Sequence, residues 1–188
     1  TTSSFNSDFD FGDIITSSYP MSASIVRQFY TASSDRQYEG NRITSLKNTL
    51  NYYKTISDRY SYSASFGDKG YDPINLISIP SIFYGSSIKK GSVNLKYYIT
   101  GTLVGELKDE NYNGELIQVG PVGSTGSGSV AGVALYNEGF LVLTGSWRLG
   151  AASLDYKDTS TPSAVTSSWL FYGVGANDGI PASNAVIA

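Results

Sequence analysis

The chain contains no cysteine and no histidine. Without thiols there is no disulfide framework, no thiolate-bound metal and no cysteine nucleophile. Without imidazole the usual nucleophile–histidine relays and histidine-bound metals are excluded as well. No cofactor and no metal is expected. Folding is independent of redox poise, so the sequence leaves the compartment open. Charge is also scarce: Asp, Glu, Lys and Arg make up 15% of the residues, well under the usual quarter. The net charge of -3 comes with no basic stripe, so no nucleic-acid partner is expected. No apolar run reaches the ~20 residues of a helical membrane span and no signal-peptide pattern opens the chain, so no membrane partner is expected either. The first residue is Thr1 rather than Met, and the chain is expected to be processed or cut from a longer one.

In place of charge stand Ser, Thr, Gly, Asn and 15 Tyr. A surface of this kind has little self-repulsion and suits assembly better than free diffusion. The 188 residues suffice for one domain, and a chain of this size buries roughly 70% of its unfolded surface without metal or disulfide help.

The strongest pattern lies between Ser92 and Gly145. Val93, Leu95, Tyr97 and Ile99 alternate with Asn94, Lys96, Tyr98 and Thr100, the period-two signature of a half-buried strand. Val130–Tyr136 and Phe140–Gly145 are two further strands around Asn137-Glu138-Gly139, where Gly139 can take positive φ. Thr102–Leu107 and Glu115–Val119 lie between them and read as strands. Ile43, Leu46, Leu50 and Tyr53 recur at helical spacing, which predicts one amphipathic helix over 41–54 with Asn41 as its N-cap. The expected fold is mainly β: an antiparallel β-sandwich-like domain with one helix and extended terminal arms. Its parts are an N-terminal arm and lead-in (1–40), a β-rich core (41–149) and a C-terminal arm (150–188).

Three motifs invite a chemical reading and fail it on context. Gly120–Ser129 is Gly-rich but has no Lys and precedes a strand rather than a helix, so it reads as a flexible surface loop, not a phosphate cradle. Asp8-Phe9-Asp10-Phe11-Gly12-Asp13 lacks the glycine position and terminal Glu of a calcium loop; its Asp-Phe-Gly triplet lacks the rest of a kinase. Glu106, Glu110, Glu115 and Glu138 are the carboxylates from which a glycosidase pair would be drawn, and their places beside turns favour a solvated role. Tyr60, Tyr62 and Tyr71 form a Tyr-rich region suited to a partner surface or to stacking on sugar.

The segment Ile74-Asn-Leu-Ile-Ser-Ile-Pro-Ser-Ile-Phe-Tyr-Gly-Ser-Ser-Ile-Lys-Lys-Gly91 resembles structural proteins of tailed bacteriophages, in particular marine T4-like phages of cyanobacteria. The resemblance continues through Gly114–Gln118, Leu135–Phe140 and Leu143–Ser146 and covers about half the chain. It implies a virion component and carries over no catalytic residue. The expected function is therefore a non-enzymatic structural subunit of a virion that contacts other virion proteins and copies of itself. The expected subunit contacts are Phe5, Phe9, Phe11, Ile14, Trp169 and Phe171, with at least one end ordered only by another chain. The alternatives are a tail-tip domain binding host glycan through Tyr60, Tyr62 and Tyr71, and a glycan-cleaving enzyme using paired carboxylates.

Overall fold

The structure is a computed structural model and describes residues 25–30, 42–99, 101–150, 153–156 and 163–173. Its strands are β1 (Val26–Tyr30), β2 (Ser63–Ala64), β3 (Gly67–Asp68), β4 (Ile74–Ser78), β5 (Asn94–Ile99), β6 (Thr102–Lys108), β7 (Glu115–Gly120), β8 (Val130–Leu135), β9 (Phe140–Leu143), β10 (Ser153–Tyr156) and β11 (Ser163–Thr166). Seven of them form one antiparallel sheet in the order β1-β4-β9-β8-β7-β6-β5. The remaining four make two small hairpins, β2–β3 and β10–β11. The mainly β, sandwich-like expectation holds, with one curled sheet as the main layer.

Both faces of that sheet are covered. Ile74, Asn75, Leu76 and Ile77 of β4 are all buried, the continuous burial expected of a strand with layers on either side. On one face Ile74, Leu76, Val133, Leu135 and Val142 pack against Ile43, Leu46 and Leu50. The stripe read from the sequence is therefore the buried one, although the helix is split into α1 (Arg42–Ser45) and α2 (Lys47–Tyr53). Ile43, Thr44, Ser45, Asn48, Thr49 and Asn51 are weak helix formers, so packing rather than propensity holds these two turns.

The other face is concave and lined by Ile77, Tyr97, Leu107, Leu116, Leu141 and Leu143 around Trp169. Val93, Tyr97 and Ile99 are buried and Leu95 is part-buried, so the inward face predicted for β5 is the observed one. Trp169 sits in a 3-10 turn, Trp169–Phe171, and is fully buried. Glycines make the room. A Cβ at Gly105 would lie 2.6 Å from Trp169 Cζ2, and one at Gly145 would lie 3.1 Å from its Cδ1. The two outermost strands both reach this turn. The Tyr97 ring of β5 lies 5.7 Å from the Trp169 ring, and the Phe29 ring of β1 lies 5.1 Å from that of Phe171.

Two expectations are corrected here. Val26–Tyr30, which the sequence places in the lead-in, is a strand of the main sheet, paired along its length with β4. Trp169, expected at a subunit contact, is instead absorbed whole by the concave sheet face, and Phe171 is part-buried beside it. The core therefore extends beyond 41–149 at both ends. Phe5, Phe9, Phe11, Ile14 and the N-cap Asn41 lie outside the described residues.

Trp169→Ala is expected to destabilise the chain by about 3–5 kcal/mol, the range for removing a buried Trp. Ile82→Ala, at a side chain 83% exposed, should fall within about 0.5 kcal/mol of the parent. Guanidinium unfolding of both variants checks this, and a Trp169 cost like that of Ile82 would contradict the packing described.

Candidate functional site

Of the three tyrosines expected to offer a binding surface, two are interior. Tyr60 is 1% exposed; its hydroxyl is shared between the carbonyls of Asn113 (2.9 Å) and Ala134 (2.8 Å). Burial, then the negative charge of Asp109, pushes its phenol well above the ordinary range. Tyr62 is 4% exposed, with the Lys47 ammonium 5.4 Å from its ring centre. Neither has a ring face to give a sugar, because both fill the space between the α1–α2 layer and the sheet. Tyr71 is half exposed, so the three do not form one platform.

Three of the four glutamates are engaged, each with a different partner. Glu106 faces Lys108 at 3.3 Å, Glu115 accepts from Ser57 Oγ at 2.5 Å, and Glu138 accepts from Tyr53 Oη at 3.3 Å. Glu110 is exposed. The Gly120–Ser129 loop is pinned rather than loose. Gln118 donates to Ser124 Oγ (2.9 Å) and Thr125 O (2.8 Å) within it.

Sequence reading missed the buried polar residues. Gln118 Oε1 also accepts from the indoles of Trp147 (2.6 Å) and Trp169 (3.0 Å). Asp109 is 2% exposed; it accepts from Gly91 N (2.7 Å), Gly114 N (3.0 Å) and the Tyr136 hydroxyl. Burial and this carboxylate raise the Tyr136 phenol far above its usual range. These contacts join the loop before β5, the β6–β7 turn and the end of β8. The only sequence signal was an Asp at the start of a Gly-containing turn.

Two concavities remain as sites. The first is a groove of about 410 Å³ between the Ser81–Phe83 turn and the start of β5. Ile79, Phe83, Tyr84, Ile88, Val93, Leu95 and Leu141 line it, with Lys89 as its one charged residue among the described residues. Lys90 and Lys96 are exposed nearby in sequence, and β5 has no neighbour on its outer side among the described strands. The second is a cleft of about 270 Å³ between the β2–β3 hairpin with its following turn and the ends of β8 and β9. One wall holds Arg59, Phe66, Asp68, Lys69 and Asp72, and the other holds Thr144 and Ser146. The Arg59 guanidinium lies 3.9 Å from the Phe66 ring centre. Lys69 is 9% exposed and donates to Arg59 O (2.9 Å) and Ser61 O (2.6 Å). Burial chiefly, and Arg59 secondarily, pushes its ammonium down to about 8, against the opposing pull of Asp68 and Asp72.

Among the described residues no three His, Cys, Asp or Glu side chains come together as a metal site requires. No helix among them is long and apolar enough to cross a membrane. No protein-family model, curated protein or solved structure matches the chain.

The Lys69 environment sets a pH dependence. Its native value of about 8 lies below the ordinary 10.5, so between them the unfolded chain binds more protons and stability rises with pH. Below ~8 the burial penalty is fully present. Relative to Lys69→Met, the parent is expected to gain up to ~2–3 kcal/mol between pH ~8 and ~10. Higher still the sign reverses: buried Tyr60, Tyr97 and Tyr172, all raised chiefly by burial, stay protonated in the native state while unfolded phenols ionise. Urea unfolding across this range checks the slope, and parallel curves for parent and variant would contradict the burial of Lys69.

Proposed function

We propose that the chain is a non-enzymatic structural subunit of a bacteriophage virion, working through contacts with other virion proteins and with copies of itself. The observation that carries the assembly part is the groove beside β5. It is apolar along its floor, and among the described residues its one charge is the positive Lys89 and it lies next to a sheet edge. An extended segment with aromatic side chains on one face and carboxylates on the other complements it in both apolar and charged character. The chain carries such a sequence itself. Phe9 and Phe11 alternate with Asp8 and Asp10 between Phe5 and Ile14, and no Lys or Arg precedes Arg27. The proposed occupant of the groove is this segment from a neighbouring copy. Burial of Phe5, Phe9, Phe11 and Ile14 at about 25 cal/mol per Å2 offsets part of the cost of ordering the segment. The resemblance of Ile74–Gly91 to phage structural proteins supports the virion part, since most of the groove's lining comes from this stretch and the start of β5.

Sedimentation equilibrium of the full chain and of a chain beginning at Ile25 tests this reading. The full chain is expected to associate, and the shortened chain to remain a folded monomer. Lys89→Glu should weaken association by about tenfold or more, the effect of placing like charges in contact. A full chain that stays monomeric, or a shortened chain that associates equally well, contradicts the proposal.

A further inference from the structure

The cleft beneath Phe66 takes no part in the assembly reading, and its lining combines an exposed aromatic ring, apolar side chains and hydroxyl groups. Phe66 is 58% exposed at the tip of the β2–β3 hairpin, where it adds nothing to either core cluster. Its ring is steadied by the Arg59 guanidinium 3.9 Å from its centre, a cation–π contact that fixes an aromatic surface at the rim. The backbone of Arg59 is held as well: Ser57 Oγ accepts from Arg59 N at 3.1 Å. The floor is apolar and contains Val130, Val133, Val142 and Leu170. Gly132, also in the lining, lets β8 run close against β9, since a Cβ there would press on Val142 O and lie 2.9 Å from Leu143 Cα. Facing the aromatic wall are the exposed residues Thr144 and Ser146, whose hydroxyls both donate and accept.

Among the described residues the charges in the lining are Arg59, Lys69, Asp68 and Asp72, which sum to zero. Such a lining favours neither an anion nor a cation. Asp68 accepts from Gly70 N at 2.7 Å and Ser63 Oγ at 3.2 Å. A carboxylate has about four acceptor positions, so Asp68 retains capacity for a hydroxyl donor. At about 270 Å³ the cleft falls below the roughly 300–1,000 Å³ of sites for larger organic ligands, which matches a single ring.

We propose that this cleft is a subsite for one neutral pyranose ring, as found at the end or in the chain of an uncharged polysaccharide. The apolar face of the ring stacks on Phe66, one hydroxyl donates to Asp68, and others exchange hydrogen bonds with Thr144 and Ser146. A neutral aromatic ring would satisfy Phe66 and the floor while leaving these polar groups facing apolar edges. The pyranose satisfies both walls. This site is distinct from the groove beside β5 and stands independently of the assembly reading.

The test is an amide-resolved NMR titration of the full chain with the methyl glycosides of glucose, galactose, mannose and N-acetylglucosamine, each to about 50 mM. Binding in the millimolar range is expected for a lone ring, with saturable shifts at Gly67–Lys69 and Thr144–Ser146 for at least one sugar. Phe66→Ala should weaken it by up to roughly tenfold, the scale of one aromatic contact, and Phe66→Trp should preserve it. Lys89→Ala, in the groove, should leave it unchanged. Absence of saturable shifts with all four sugars overturns the proposal, as does an affinity insensitive to Phe66→Ala. Binding of methyl glucuronide in preference to all four would overturn the neutral assignment.

Discussion

The concave face of the sheet has to be filled by a turn that brings its own backbone polar groups into the interior. Trp169–Phe171 enters with buried carbonyls, and a buried carbonyl left without a partner is an expensive omission. Three side chains supply what the turn needs. Arg27 on β1 donates to Tyr172 O (2.8 Å) and Leu170 O (3.1 Å). Asn75 on β4 donates to Trp169 O (3.0 Å) and Tyr172 O (2.9 Å). Gln118 on β7 accepts from the Trp169 indole at 3.0 Å. Each donor or acceptor comes from a different strand, so seating the turn also sets how those strands curl.

This dependence reaches the surface. The Tyr97 hydroxyl of β5 meets Phe171 O at 3.4 Å, so the strand that borders the groove is held by the same turn as β1. Leu149 N donates to Ser167 O and Leu170 N to Gly145 O, which fastens the segment on either side of the β10–β11 hairpin to the ends of the main sheet. The cleft is built from the opposite layer, where Lys69 draws the carbonyls of Arg59 and Ser61 together. The cleft also meets the turn, since Leu170 lines it.

What the sequence revealed and what it hid follow one physical distinction. β5, the β8–β9 hairpin and the Ile43–Leu50 stripe were legible because each has a local period that a single packed face enforces. β1 was not, since Arg27 and Gln28 interrupt its apolar character, and Arg27 is buried only because distant carbonyls receive it. The burial of Trp169 was hidden for a similar reason: its room is made by Gly105 and Gly145, which lie far from it in sequence. Tyr60 and Tyr62 looked like surface because their neighbours are polar, yet Asn113 and Ala134 offer Tyr60 its carbonyls across the fold. For the cleft, Phe66 and Arg59 stood in a loop too polar to suggest a stacked pair.

Amide hydrogen exchange on a chain carrying Trp169→Ala with Tyr172→Ala tests the central role of the turn most directly. The account predicts that β1 and β5, the two outermost strands, lose protection together while β4, β8 and β9 keep most of theirs. Unchanged protection of β1 and β5 would contradict it, and so would loss confined to one of them.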